Sequence, residues 1–253
     1  MTINNQIEKF LESQGQANKW LLEYLPGSEQ NVSDGRRALL SLAMDTNIAN
    51  ERLEEILKSS NAGPAQGLAS SILLQRKHEG TYIKPVRTDV PWAGSYITIT
   101  QDNWGENTEF NGDRVLTGAK IDGDYALAGA TISGLSALNT ASLTGYSVLK
   151  SATLNGKRML LGSSIKGHSA LERATVEGEN SLFYITVAGR HALQDARMKG
   201  DWTLAGADVN GDWTLAGANV EGRGALRGAT VKGDMALYET TLNDKNINAS
   251  QYR

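Results

Sequence analysis

The sequence predicts an α+β protein: a small N-terminal α-helical domain followed by a parallel β-helix, or β-solenoid, of twelve 11-residue units stacked two to a coil. Three observations predict it. Gly recurs at every eleventh residue from Gly112 to Gly233, Leu stands four residues after each of these Gly, and the first eighty residues carry helical rather than strand periodicity.

In chain order, residues 1–80 read as the helical domain. Ile7, Phe10, Leu11, Trp20, Leu21, Tyr24 and Leu25 space an amphipathic segment over residues 5–25 that stops at "LPGS". "SDGRRALLSLAMD" and "NIANERLEEILKSS" give two further helices, and "GPAQGLASSILLQRKHEG" gives a fourth, with Pro near its start and Gly80 after its end. Residues 81–111 alternate apolar and polar positions between turn residues, with Phe110 in the place of the later Ile121, and read as a linker and N-terminal cap. A cap is needed because the first coil of a solenoid leaves backbone groups unpaired and an apolar core open. The tail, residues 243–253, is too short to cover the far end, which is expected to be closed by a partner.

Residues 112–242 hold the units. Position one is Gly in all twelve, position five is Leu from Leu116 to Leu237, position eight is small, with Ser163, Ile185 and Thr240 replacing Ala, and position ten is Ile, Leu, Val or Met. A period of eleven also fits three helical turns. Gly in every unit argues against that reading, because each costs a helix about 1 kcal/mol. One unit is too short to close a coil around both a Leu and a Val, since opposed sheets stand about 10 Å apart. Two units make a coil of 22 residues, which places Trp202 and Trp213 on opposite sides and stacks Trp213 between His191 and Met235.

Divided as "WTLAG ADVNG" plus Asp212, or "GALRG ATVKG" plus Asp234, the units resemble the A(D/N)LXX motif of pentapeptide-repeat proteins over about half the chain. The resemblance implies that the central apolar residue and the small residue two before it point inward, as Val209 with Ala207 and Val220 with Ala218 would. The other half of each unit departs from the motif. The residue two before its Leu is Arg114, Tyr125, Ser136, Arg158, His191 or Trp202, and the small residue lies directly before Leu, as in Ala126, Ala137 and Ala170. The resemblance also implies a bacterial protein, and the family includes secreted effectors and gyrase-protecting DNA mimics.

Composition narrows the function. The repeat half carries 13 Lys+Arg against 13 Asp+Glu, so it offers neither a cationic track for phosphates nor an anionic imitation of DNA. The chain has no Cys, and nothing in it reads as a signal peptide or membrane span. It is expected in the cytoplasm or delivered by a non-classical route. Five units begin Gly-Asp, at Asp113, Asp124, Asp201, Asp212 and Asp234, which reads as turn chemistry rather than calcium binding. His78, His168 and His191 are scattered, so no catalytic, cofactor or metal residue is expected, and no cofactor. The expected activity is non-catalytic protein binding by a rigid face, as an effector or inhibitor acting by occlusion, with a homodimer through the C-terminal end as a further option. Tyr125, Tyr146, His191, Trp202, Trp213, Met235 and Tyr238 are the candidate contact residues, because rings at solvent positions favour interfaces. The alternative is a carbohydrate-active β-helix enzyme using Asp122, Asp124 and Asp212.

Overall fold

The computed structural model describes residues 49–58, 64–243 and 245–246. The helices expected over residues 5–25 and 33–45, and the tail beyond residue 246, lie outside the described residues. Helix α1 (Asn50–Lys58) buries Leu53, Ile56 and Leu57, a stripe at helical spacing. Helix α2 (Pro64–His78) contributes Ala69, Ile72 and Leu73 to the same core. It stops where Gly80 takes φ +76° and the Thr81 and Gly80 amides turn back to the Arg76 and Lys77 carbonyls. That pair of bonds satisfies helix-end acceptors and needs a residue that tolerates the left-handed region.

The rest is a parallel β-solenoid of about seven turns. Its strands start at β1 (Thr98–Ile99) and β2 (Glu109–Asn111), recur once per eleven residues through β13 (Thr230–Lys232), and end with β14 (Thr241–Leu242) and β15 (Lys245–Asn246). Odd-numbered strands from β1 to β13 form one sheet, and even-numbered strands from β2 to β14 form the other, with β15 folded back antiparallel on β14. Parallel partners lie 22 residues apart, as in Ile99 with Ile121 and Phe110 with Ile132. Each strand from β2 to β12 buries only its central residue, such as Ile121, Leu143 or Val209, because side chains alternate across a strand.

The coil geometry begins before Gly112, where the sequence alone suggests a linker and cap. Trp92, Gly94 and Tyr96, then Asn103, Gly105 and Asn107, have the same positive φ pattern as Arg114, Leu116 and Gly118. Residues 90–111 are therefore the first coil, disguised because Val90 and Gln101 replace Gly and Gly94 and Gly105 replace Leu. Capping falls to the segments before it. Gln75 Oε1 accepts the Thr98 amide at 3.0 Å and His78 Nε2 the Thr100 amide at 3.4 Å, so α2 covers the open edge of the first sheet. Thr88 does the same for β2: its carbonyl accepts the Asn111 amide at 3.3 Å and its hydroxyl donates to the Glu109 carbonyl at 2.6 Å.

Between strands the chain runs through turns in which alternate residues sit in the left-handed region, as Arg114, Leu116 and Gly118 do at φ 61°, 56° and 65°. The alternation reverses successive amides. Arg114 and Gly118 donate to Leu135 and Asn139 of the following coil, while Leu116 donates to Ala93 of the preceding one. Turns are thus bonded to both neighbours, as strands are. A Leu at φ 56° costs roughly 1–2 kcal/mol, and complete burial of its side chain returns about 1.5–3 kcal/mol. The residue before that Leu is also buried, as Val115, Ala126 and Ala137 are, so two adjacent side chains fill this corner.

Position one is Gly for a different reason. At Gly178, φ is +140°, and an added Cβ would land on the Gly156 carbonyl oxygen and 2.5 Å from its carbon. The backbones of successive coils meet there without room for any side chain.

Candidate functional site

Turns stack along two edges of the solenoid, and one edge is distinguished by its side chains. The Tyr125, Ser147, Ser169, His191 and Trp213 amides donate to the carbonyls of Tyr146, His168, Arg190, Asp212 and Asp234, which fixes these turns one above another. In consequence Tyr125, Tyr146, His168, His191, Trp213 and Tyr238 occupy a single edge, one ring per coil. Tyr125 and Tyr146 meet edge to face at 5.8 Å, and Tyr146 and His168 lie 6.5 Å apart. Higher up, His191 stacks on Trp213 at 6.5 Å with planes 21° apart, and Trp213 meets Tyr238 at 5.6 Å. Tyr238, rather than Met235, supplies that last ring, and Met235 stands exposed beside it. Such pairs hold each other's orientation, so the edge presents fixed rings to solvent.

The ring column has a polar floor at its middle. Ser147 and Ser169 are buried, and Ser147 Oγ has no hydrogen-bond partner. Glu172 lies over them, 3.2 Å from Lys150 and 3.7 Å from Arg173. Burial pushes its carboxyl pKa upward, but hydrogen bonds from Ser169 and Lys150 and the charges of Lys150 and Arg173 outweigh this and hold it below the ordinary value. At the top, a hydrogen bond with Glu239 and its negative charge raise the Tyr238 phenol.

The opposite edge is different. Trp202 is half-buried against Gly224, with the Arg227 guanidinium 5.4 Å from its ring centre, and Trp92 carries Arg114 at 4.6 Å. These rings are separated by Arg158 and Asn180 and make no continuous column. Trp202, singled out from sequence, is therefore apart from the other six candidates. His168 belongs with them and was missed. Counting 22 residues on from Tyr146 would have found it.

The Gly-Asp carboxylates serve the backbone. Asp113, Asp124, Asp201 and Asp212 accept the amides of Leu135, Tyr146, Arg223 and Asp234, each 22 residues on, at 2.7–3.0 Å. These are the turn amides that neither strand nor turn ladder satisfies. Among the described residues, no three His, Asp or Glu side chains converge so as to hold a metal ion, and no helix is long and apolar enough to cross a membrane. A hollow of about 640 Å³ adjoins the ring edge, where Asp195 and Gly217 meet Arg197, Lys199 and Glu221.

Fold and edge together define the class, a parallel β-solenoid with, among the described residues, two helices before it, and with a ring-bearing edge. No family model, curated protein or solved structure matches the chain.

Proposed function

We propose that the protein is a non-catalytic interaction module, a rigid β-solenoid that contacts another protein through its ring-bearing edge. The observation that carries this reading is the run of one ring per coil from Tyr125 to Tyr238, with Tyr125, Tyr146 and Tyr238 each more than two-fifths exposed. Core packing has no use for such a column, whereas Tyr and Trp are the side chains that supply most interface energy. In this reading the chain is an eleven-residue relative of the pentapeptide repeats, two units to a coil, acting by occlusion in the cytoplasm or after non-classical delivery. The neutral repeat half supports a protein partner over nucleic acid. The competing carbohydrate-active reading would use Asp122, Asp124 and Asp212, of which Asp124 and Asp212 each already accept a backbone amide.

A photo-crosslinking residue placed at Tyr146 or Trp213 of the full chain, in the cells it comes from, is expected to give a discrete protein adduct. The same residue at Lys157, on the opposite edge, is expected to give none. Equal adducts from both edges, or none from either, would overturn the proposal. Polysaccharide turnover that disappears in Asp124→Asn would favour the enzyme.

A further inference from the structure

The top three turns of the ring edge, residues 189–195, 211–217 and 233–239, have a composition that the lower turns lack. They carry the carboxylates of Asp195, Asp212, Asp234 and Glu239, all exposed, against the single cation Arg190. The corresponding turns of the opposite edge, 178–184, 200–206 and 222–228, are balanced, with Glu179 and Asp201 against Arg223 and Arg227. Among the described residues none of the four carboxylates is in an ion pair, whereas Asp201 holds Arg223 at 3.3 Å. His191, Trp213 and Tyr238 thus form an aromatic strip whose own turns are mainly acidic, with Arg197 and Lys199 set off in the hollow beside Asp195. Ring faces and carboxylates both attract Lys and Arg side chains.

The spacing of the rings selects the shape of the occupant. Along the solenoid axis three rings one coil apart span two rungs, roughly 10 Å at a strand spacing of about 4.8 Å, while centre-to-centre distances of 6.5 and 5.6 Å show that they are also offset sideways. Two turns of an α-helix span about 11 Å, so residues at i, i+4 and i+7 can each meet a ring with about 1 Å of accumulated mismatch. An extended strand lying the same way repeats its side chains about every 6.8 Å and drifts most of a rung over the same distance. Beside the strip, the hollow bounded by Asp195 and Gly217 is lined by Glu177 and Glu221 as well as by Arg197 and Lys199.

We infer that this upper half of the edge docks a basic amphipathic α-helix of the partner protein, laid along the solenoid axis. The helix sets its apolar stripe on His191, Trp213 and Tyr238, and its Lys or Arg side chains reach Asp195, Asp212, Asp234 and Glu239. This inference rests on the protein-binding reading and names the partner's element.

The test is calorimetric titration of the full chain with a synthetic helix of about 18 residues, Leu at helical spacing and Lys on both flanks. A scrambled peptide of equal composition and a version with Glu for Lys accompany it. The patterned basic helix is expected to bind, with affinity falling about tenfold or more in Trp213→Ala. The charge-only variants Asp234→Asn and Glu239→Gln are expected to weaken binding and steepen no thermal transition, while Arg158→Ala leaves it unchanged. Equal binding of the scrambled or acidic peptide, or indifference to Trp213→Ala and to both charge variants, overturns the inference. Loss of peptide binding with edge crosslinks intact would remove the helix alone and leave the protein-binding reading standing.

Discussion

Gly178→Ala tests the reason for the eleven-residue period. The new Cβ would collide with the Gly156 carbonyl, and φ +140° is a conformation that Ala adopts only under strain. Relief requires the two coils to part, which stretches the adjacent bonds from Gly156 N to Glu177 O at 2.8 Å and from Arg158 N to Glu179 O at 2.9 Å. The backbone strain costs about 1–3 kcal/mol and each weakened bond about 1 kcal/mol, together about 3–5 kcal/mol. At about 2–4 °C per kcal/mol for a chain of this size, the Tm is expected to fall by about 10 °C. Gly228→Ala is the matched control. Gly228 has φ +69° and nothing within 4 Å of an added Cβ, so only the left-handed penalty of about 1 kcal/mol applies. Thermal unfolding followed by far-ultraviolet dichroism separates the two. Equal small shifts in both variants would refute the claim that coil contact, rather than turn conformation, fixes these Gly.

Leu160→Asp places a carboxylate in the sealed core and is expected to unfold the solenoid, whereas Lys157→Ala, which breaks only an exposed pair with Glu179, should leave the denaturation midpoint within about 0.5 kcal/mol of the parent. Glu172 has its carboxyl pKa depressed in the folded state, so its contribution is present above the unfolded value near 4.3 and is lost as pH falls through the lower folded value; urea titrations against pH should show a shallower acid-side decline in Glu172→Gln. Thr140 is β-branched at φ 53°, and Thr140→Gly is expected to raise the Tm by a few degrees, because relief of the left-handed strain exceeds the added chain entropy. Ser147→Ala removes a buried hydroxyl that has no partner and should be neutral or stabilising by about 1 kcal/mol in the same melts, where a clear loss would mean that the hydroxyl is bonded.

Most of the solenoid was legible in the sequence because its causes are local and repeated. Gly112 to Gly233 and Leu116 to Leu237 recur on one period, and the turn residues beside Val, Ile and Thr select strand over helix. The 22-residue offset followed from a volume argument, and the pairing of Val209 with Val187 and Val231 has that offset. The first coil was hidden because Gly94 and Gly105 stand where Leu was the marker, yet the Leu116 and Leu127 side chains pack over those two Gly and fill the space. The ring edge was only half visible: six of its neighbourhood were named as residues, but Trp202 was grouped with them and His168 was not, since columns emerge only after each turn is assigned to an edge.

By itself the sequence determined the period, the inward residues and the strand character, all of which depend on side-chain size and polarity along the chain. Tertiary structure alone decided the backbone of the turns and the ends. No propensity places eleven Leu in the left-handed region; they adopt it because only there do their amides reach the preceding coil while their side chains enter the core. Capping by Gln75, His78 and Thr88 was likewise unreadable, because those side chains meet the first strands across 21 to 23 residues of intervening chain and carry no pattern of their own.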